Sequence, residues 1–148
     1  MELTTFGSAL KFAIALENMA MKVFEDAAGA ATNDESKKGF LELSASNRNR
    51  KLLMEKQYSQ NVYSDMDTGI FEPLPVMHGE EYLSDPPPSV DAGASTFLTE
   101  VIEMEQRMGA FYLALASRMQ FRRRGIANTY DRMAKENLSR IDGLRKLT

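Results

Sequence analysis

Two short segments of the chain carry the same polar pair at the same spacing. "LSASNRNRKLL" contains Asn47 and Arg50, and "MAKENLSRIDGL" contains Asn137 and Arg140; no other Asn-x-x-Arg occurs. A glutamate precedes each pair, Glu17 by 30 residues and Glu105 by 32, and each glutamate is followed seven positions on by an aromatic, Phe24 or Tyr112. Two carboxylates and two guanidinium groups sum to zero charge. Arginine donates in a planar fork that matches a carboxylate bidentately, and asparagine can fill the remaining hydrogen bonds. The chemistry expected of Glu17, Asn47, Arg50, Glu105, Asn137 and Arg140 is therefore a buried, neutral ion-pair network that sets helix register. Two other uses are open. The six could line a pocket for a small ligand or a partner's side chain. Glu17 and Glu105 could also keep a metal with the help of Glu103 or Glu136, which sit one or two positions off the inner stripe.

Helices must carry these residues. Phe6, Leu10, Ile14, Glu17, Met21, Phe24 and Ala28 recur every three or four positions, which predicts a helix over about 6–30. A second spans about 34–60, capped by Asn33 or Asp34, with Phe40, Leu43, Asn47, Arg50 and Met54 inward. A third spans about 96–119, capped by Ser95 or Thr96, with Leu98, Val101, Ile102, Glu105, Met108 and Tyr112 inward. The fourth spans about 124–147, with Tyr130, Met133, Asn137, Arg140, Ile141 and Leu144 inward. Its start is ambiguous, because Arg122 to Arg124 suit a helix C-terminus better than an N-terminus. Between helices 2 and 3, over about 61–95, periodicity is lost and all five prolines occur. Such a loop suits a four-helix bundle in which helices 2 and 3 run parallel and the chain returns the full bundle length between them. The repeat Glu, about thirty residues, Asn-x-x-Arg reads as a duplicated helical hairpin.

Composition narrows the function. With 148 residues the chain is expected to form one domain, 1–148. A net charge of −3 supplies no basic field for nucleic acid or an anionic membrane. The absence of cysteine excludes disulfide scaffolds, Cys-ligated zinc and iron–sulfur centres. No signal peptide or membrane span is read, so a cytoplasmic protein is expected. His78, the single histidine, reads as a surface residue. The ten methionines read as core filler, and Tyr112 and Tyr130 as packed aromatics with hydrogen-bonded hydroxyls.

"AIALENMAMKVF" and "VIEMEQRMGAFY" resemble the first and third helices of rubrerythrin-like members of the ferritin superfamily. "FLELSASNRNRKLL" and "YDRMAKENLSRIDGL" resemble the second and fourth. The resemblance implies an all-α, ferritin-like four-helix bundle with a long crossover between helices 2 and 3, and a homodimer. In that family each hairpin donates one Glu from its first helix and a Glu-x-x-His from its second, together holding two iron or manganese ions. Glu17 and Glu105 fall on the lone-glutamate positions, Asn47 and Asn137 on the Glu of Glu-x-x-His, and Arg50 and Arg140 on the histidines. Four of six ligands are thus changed, identically in both halves. A guanidinium has no lone pair to give. The resemblance therefore implies a non-catalytic relative with no metal cofactor and a structural or binding role, with a protein partner or a metal-bearing paralogue as further possibilities. The competing expectation is an oxidoreductase that still binds two iron or manganese ions and handles peroxide, oxygen or iron.

Overall fold

A computed structural model describes residues 1–62, 70–119 and 124–147 of the chain. Four long helices dominate it: α1 (Phe6–Ala30), α2 (Asp34–Val62), α3 (Ala94–Met119) and α4 (Arg124–Leu147). Periodicity placed the first and last of these at their observed ends. Asn33 caps α2 as expected, its Oδ1 accepting the Ser36 amide at 2.8 Å. The cap expected for the third helix is different. Ser95 and Thr96 lie inside its first turn, and the chain enters from Gly93, whose φ of 93° is open to glycine and strained for other residues. The Gly93 carbonyl accepts the Phe97 amide at 2.9 Å. Gln120 to Arg123 lie outside the described residues, so the expectation for Arg122 and Arg123 does too.

The helices pair through their apolar stripes. Phe24 stacks on Phe40 and Glu17 meets Asn47, so α1 and α2 run antiparallel. Glu105 meets Asn137 and Gly109 lies against Ala134, which makes α3 and α4 antiparallel. Phe12 meets Phe111 near one end of α1, while Phe40, beside Phe24 near the other end, meets Phe97. Arg50 reaches the Met133 carbonyl and Arg140 reaches Ser46, which sets α2 antiparallel to α4. Leu10, Leu16, Met54, Met104, Met108 and Leu115 fill the interior with no exposed surface. Several residues expected inside, Ile14, Met21, Leu43, Leu98, Ile102 and Ile141, are only half-buried at the edges of their stripes. No described helix is long and apolar enough to cross a membrane.

A small sheet was not expected from the sequence. β1 (Glu2–Thr5) pairs antiparallel with β2 (Pro73–His78), Glu2 opposite His78 and Leu3 opposite Met77, with an irregularity before Thr5 meets Pro73. The reading of 61–95 as structureless is therefore corrected: it carries a strand and two 3-10 turns, Gly79–Glu81 and Val90–Ala92. "PLPVMH" reads against a strand because proline cannot donate to a ladder. In a sheet of only two strands each proline can turn its missing donor away from the partner. The same segment closes the start of α1. Thr5 and Ser8 form a capping box, and the amides of Phe6 and Gly7 donate to the carbonyls of Glu72 (2.9 Å) and Ile70 (2.7 Å). Arg107 and Arg118 of α3 hold its other side, donating to the carbonyls of Glu81, Leu83, Pro75 and Val76.

Gly7 is thus a close-approach glycine. A Cβ there would stand 2.7 Å from the Ile70 carbonyl oxygen, whereas one on Gly143, within α4, would meet nothing within 4 Å. Urea unfolding should show Gly7→Ala destabilising the fold by about 1–3 kcal/mol. Gly143→Ala should stabilise it by about 0.5–1 kcal/mol. A neutral Gly7→Ala would mean that residues 70–72 are not docked on α1.

Candidate functional site

The six polar residues singled out by the repeat come together in the centre of the molecule. Glu17 sits on α1 one turn from Ala13 and Ala20, and Glu105 on α3 one turn from Val101 and Met108, so both carboxylates ride on apolar stripes. Glu17, Asn47, Glu105 and Asn137 are 0% exposed and Arg50 is 5% exposed. Arg140 keeps 9% of its side chain accessible.

Each asparagine faces two ways. Asn47 donates through Nδ2 to Glu17 Oε2 at 2.7 Å and accepts Arg140 Nη1 on its Oδ1 at 3.1 Å. Asn137 donates through Nδ2 to Glu105 Oε2 and accepts Arg50 Nη1 at 2.8 Å. The amide orientation is forced, since a carboxylate can only accept and a guanidinium can only donate. Each arginine therefore belongs to both hairpins. It approaches the glutamate of its own half, Arg50 to Glu17 at 3.3 Å and Arg140 to Glu105 at 3.4 Å, and donates more closely to the asparagine of the other. The bidentate Arg–carboxylate pairing expected from residue types does not form. Each asparagine amide occupies Oε2 of its glutamate, and the arginine fork spreads across α2 and α4 instead.

Two substitutions break the symmetry. Ser46 and Glu136 stand just before the two asparagines: Arg140 Nη2 donates to Ser46 Oγ at 2.6 Å, and Arg50 Nη2 to Glu136 Oε2 at 3.0 Å. Arg50 Nη2 also reaches the Met133 carbonyl at 3.2 Å. Two turns on from Glu105 along α3, Tyr112 donates its hydroxyl to Glu17 Oε1 at 2.7 Å, while its counterpart Phe24 has none to give Glu105. The Tyr112 ring lies under the Arg50 guanidinium and stacks on Tyr130, whose hydroxyl donates to Gln57 Oε1 at 2.6 Å. Both tyrosines carry the hydrogen-bonded hydroxyl expected of them. Arg50 Nε is the one buried side-chain polar atom without a partner among the described residues.

Titration follows this asymmetry. Burial holds the Glu105 carboxyl above the ordinary carboxylate range, against the opposing pull of Arg140, Asn137 and Arg50. Burial also raises Tyr112 well above the usual phenol, and the charge of Glu17 adds to it. Tyr130 is raised by burial alone. Burial would lower Arg50, but Glu17, Tyr112, Glu136 and Glu105 outweigh it, so the guanidinium stays charged.

Compared with protein-family models, curated proteins and solved structures, the chain matches none. What the cluster can do follows from its own atoms. All four carboxylate oxygens of Glu17 and Glu105 already accept from Asn, Arg or Tyr donors. Glu136, considered from the sequence as a metal ligand, instead takes Arg50 at the rim, and Glu103 pairs with Arg107 at 2.8 Å on the surface. His78 sits 3.9 Å from Glu80, on the strand side of the molecule. Among the described residues no three His, Cys, Asp or Glu are grouped to hold a metal ion. Sequence reasoning missed Ser46 and Gln57, whose only signal was their position one residue or one helix face from residues already chosen.

Removing Arg50 leaves Glu17 buried with its guanidinium gone and Asn137 Oδ1 without a donor. Arg50→Ala should cost about 3–5 kcal/mol in urea unfolding; a loss below ~1 kcal/mol would exclude the network as a structural element. A second measurement concerns pH. The native state binds the Glu105 proton more tightly than the unfolded chain does. Its contribution to stability is therefore full below the ordinary carboxylate pKa and is lost as pH rises through the raised one. Unfolding curves over that window should show Glu105→Gln abolishing this component of the pH dependence. Parallel curves for the two proteins would refute the assignment.

Proposed function

We propose that this protein is a non-catalytic, ferritin-like bundle of the rubrerythrin type, in which a metal-free Glu–Asn–Arg network occupies the place of a di-iron centre and the role is structural or binding. The observation that carries the reading is the crossed pair of Asn–Arg hydrogen bonds, Arg50 to Asn137 and Arg140 to Asn47, at the positions where the family would place its Glu-x-x-His ligands. The helix directions support the fold. With α1 antiparallel to α2 and to α3, helices α2 and α3 run the same way, and the chain between them must travel back along the bundle. A cytoplasmic location accords with a chain free of cysteine. The homodimer implied by the resemblance belongs to the same reading.

A two-metal centre does not fit these residues. Iron or manganese would need anionic oxygens and neutral imidazoles. Here Asn47 and Asn137 offer neutral carbonyls already spent on arginine, and two fixed positive charges stand where the histidines belong. Binding a dication would strip Glu17 of three donors and Glu105 of two, and leave Arg50 and Arg140 facing it. The alternative reading, a di-iron or di-manganese oxidoreductase acting on peroxide, oxygen or iron, requires ligands from outside this cluster.

Elemental analysis of the purified protein, with its absorption spectrum after ferrous iron is added in air, separates the two. The expected result is metal near zero and no new absorption; close to two iron or manganese ions per chain would overturn the reading. Introducing Asn47→Glu, Arg50→His, Asn137→Glu and Arg140→His together should create a two-metal site. A folded quadruple variant that takes up no iron would refute the register of the resemblance.

A further inference from the structure

We infer that a cavity at the end of the bundle where α1 gives way to α2 is a binding site for a small, neutral aromatic molecule bearing one N–H or O–H group. The cavity lies apart from the buried network, since Asn47 follows Ser36 along α2 by ~16 Å. The inference is therefore independent of what that network replaces.

Five elements enclose the cavity: the C-terminal ends of α1 and α4, the N-terminal parts of α2 and α3, and the 3-10 turn Val90–Ala92. α1 opens the space by ending in "AAGAA", residues 27–31, so Ala27 and Ala30 line it with methyl groups alone. Phe40, Phe97 and Leu147 supply the larger apolar walls. An apolar cavity of ~150 Å³ takes up benzene. This one measures about 280 Å³, which suits a fused pair of rings.

The lining selects the class of guest. Phe24 stacks on Phe40, and Phe40 meets Phe97 edge-on with centroids 6.4 Å apart. The last two of these rings border the cavity, so an aromatic guest extends an existing row and gains more than its buried area alone. Among the described residues no charged side chain lines the cavity. Asp34 and Glu35 already occupy the first turn of α2, which disfavours an anion there. Polar contact is confined to Thr32, Asn33 and Ser36. Ser36 Oγ donates to the Leu147 carbonyl at 2.9 Å, which leaves its lone pairs to accept from a guest. Apolar walls with a few convergent polar groups are the pattern of a small-molecule site.

Indole is the probe. The chain has no tryptophan, so indole excited beyond the tyrosine absorption reports on itself alone. With the wild-type protein its emission should shift to the blue saturably, with a Kd on the order of 0.1–1 mM. Ala30→Phe and Ala94→Phe, which put a ring into the cavity from two different helices, should each weaken binding by about tenfold or more. Lys22→Leu, elsewhere on α1, should leave it unchanged. All three positions are exposed, and circular dichroism should show native helix content in each variant. In competition, benzyl alcohol should displace indole about threefold to tenfold better than cyclohexylmethanol does, and benzoate should compete less well than benzyl alcohol. No saturable shift, a shift that survives both phenylalanines, or displacement in the reverse order would each overturn the proposal.

Discussion

Two carboxylates with no exposed surface sit at the centre of this molecule, and most of the surrounding structure answers that constraint. An isolated buried carboxylate would either neutralise or cost several kcal/mol. The helices that carry them supply only one donor, the Tyr112 hydroxyl of α3 on Glu17, because the neighbours of Glu17 on α1 and of Glu105 on α3 are apolar. The rest of the compensation comes from α2 and α4, which must therefore be held in one rotation and one register. Asparagine is suited to that task. Its two ends have opposite hydrogen-bonding character, so one side chain can bridge a carboxylate and a cation.

The arginines turn two hairpins into one unit. Had each guanidinium forked onto its own glutamate, every charge would be settled within a hairpin and the halves would meet through apolar packing alone. Instead the shorter bonds run from Arg50 to Asn137 and from Arg140 to Asn47. A slip of α2 along α4 by one turn would strand two carbonyls, two guanidinium groups and indirectly both carboxylates. An apolar core of equal volume can be as stable as a buried ion-pair network. It cannot discriminate between registers so sharply, and register is what these bonds determine. The broken symmetry at Tyr112/Phe24 and Glu136/Ser46 concentrates donors on Glu17 and charge around Arg50, leaving Glu105 the less compensated carboxylate.

The four helices and the six central residues were legible because helical periodicity and an internal repeat are both local patterns. Glu17 could be placed inward from its neighbours at three- and four-residue spacing, and Arg50 from its offset to Asn47. What the sequence did not disclose is which partner each donor chooses. Residue types allow Arg50 to fork onto Glu17; only the placement of α4 brings Asn137 Oδ1 to 2.8 Å and Glu136 to the rim. The strand at Pro73–His78 was invisible for a different reason. Its partner, Glu2–Thr5, is distant in sequence and too short to show alternation, and prolines argue against strands wherever a second neighbour exists.

Side-chain length divides the work inside the network. Asparagine is short, so its bond to a glutamate on the neighbouring helix requires the backbones to approach closely. That approach is built in: a Cβ on Gly109 would already be in van der Waals contact, 3.4 Å, with both the Ala134 carbonyl and the Asn137 Cβ. On the other hairpin Ala13 and Ala20 flank Glu17 with methyl groups alone, so nothing bulkier stands beside the carboxylate. Arginine is long, and it spans the wider gap between hairpins, the Arg50 guanidinium lying over the Tyr112 ring. Exchanging the lengths would fail on both counts, since a lysine or arginine in place of asparagine would overfill the close contact and could not accept. The Asn-x-x-Arg spacing places the short residue and the long one a single turn apart on one helix. That is the arrangement in which one side chain can bind within a hairpin while the next crosses between them.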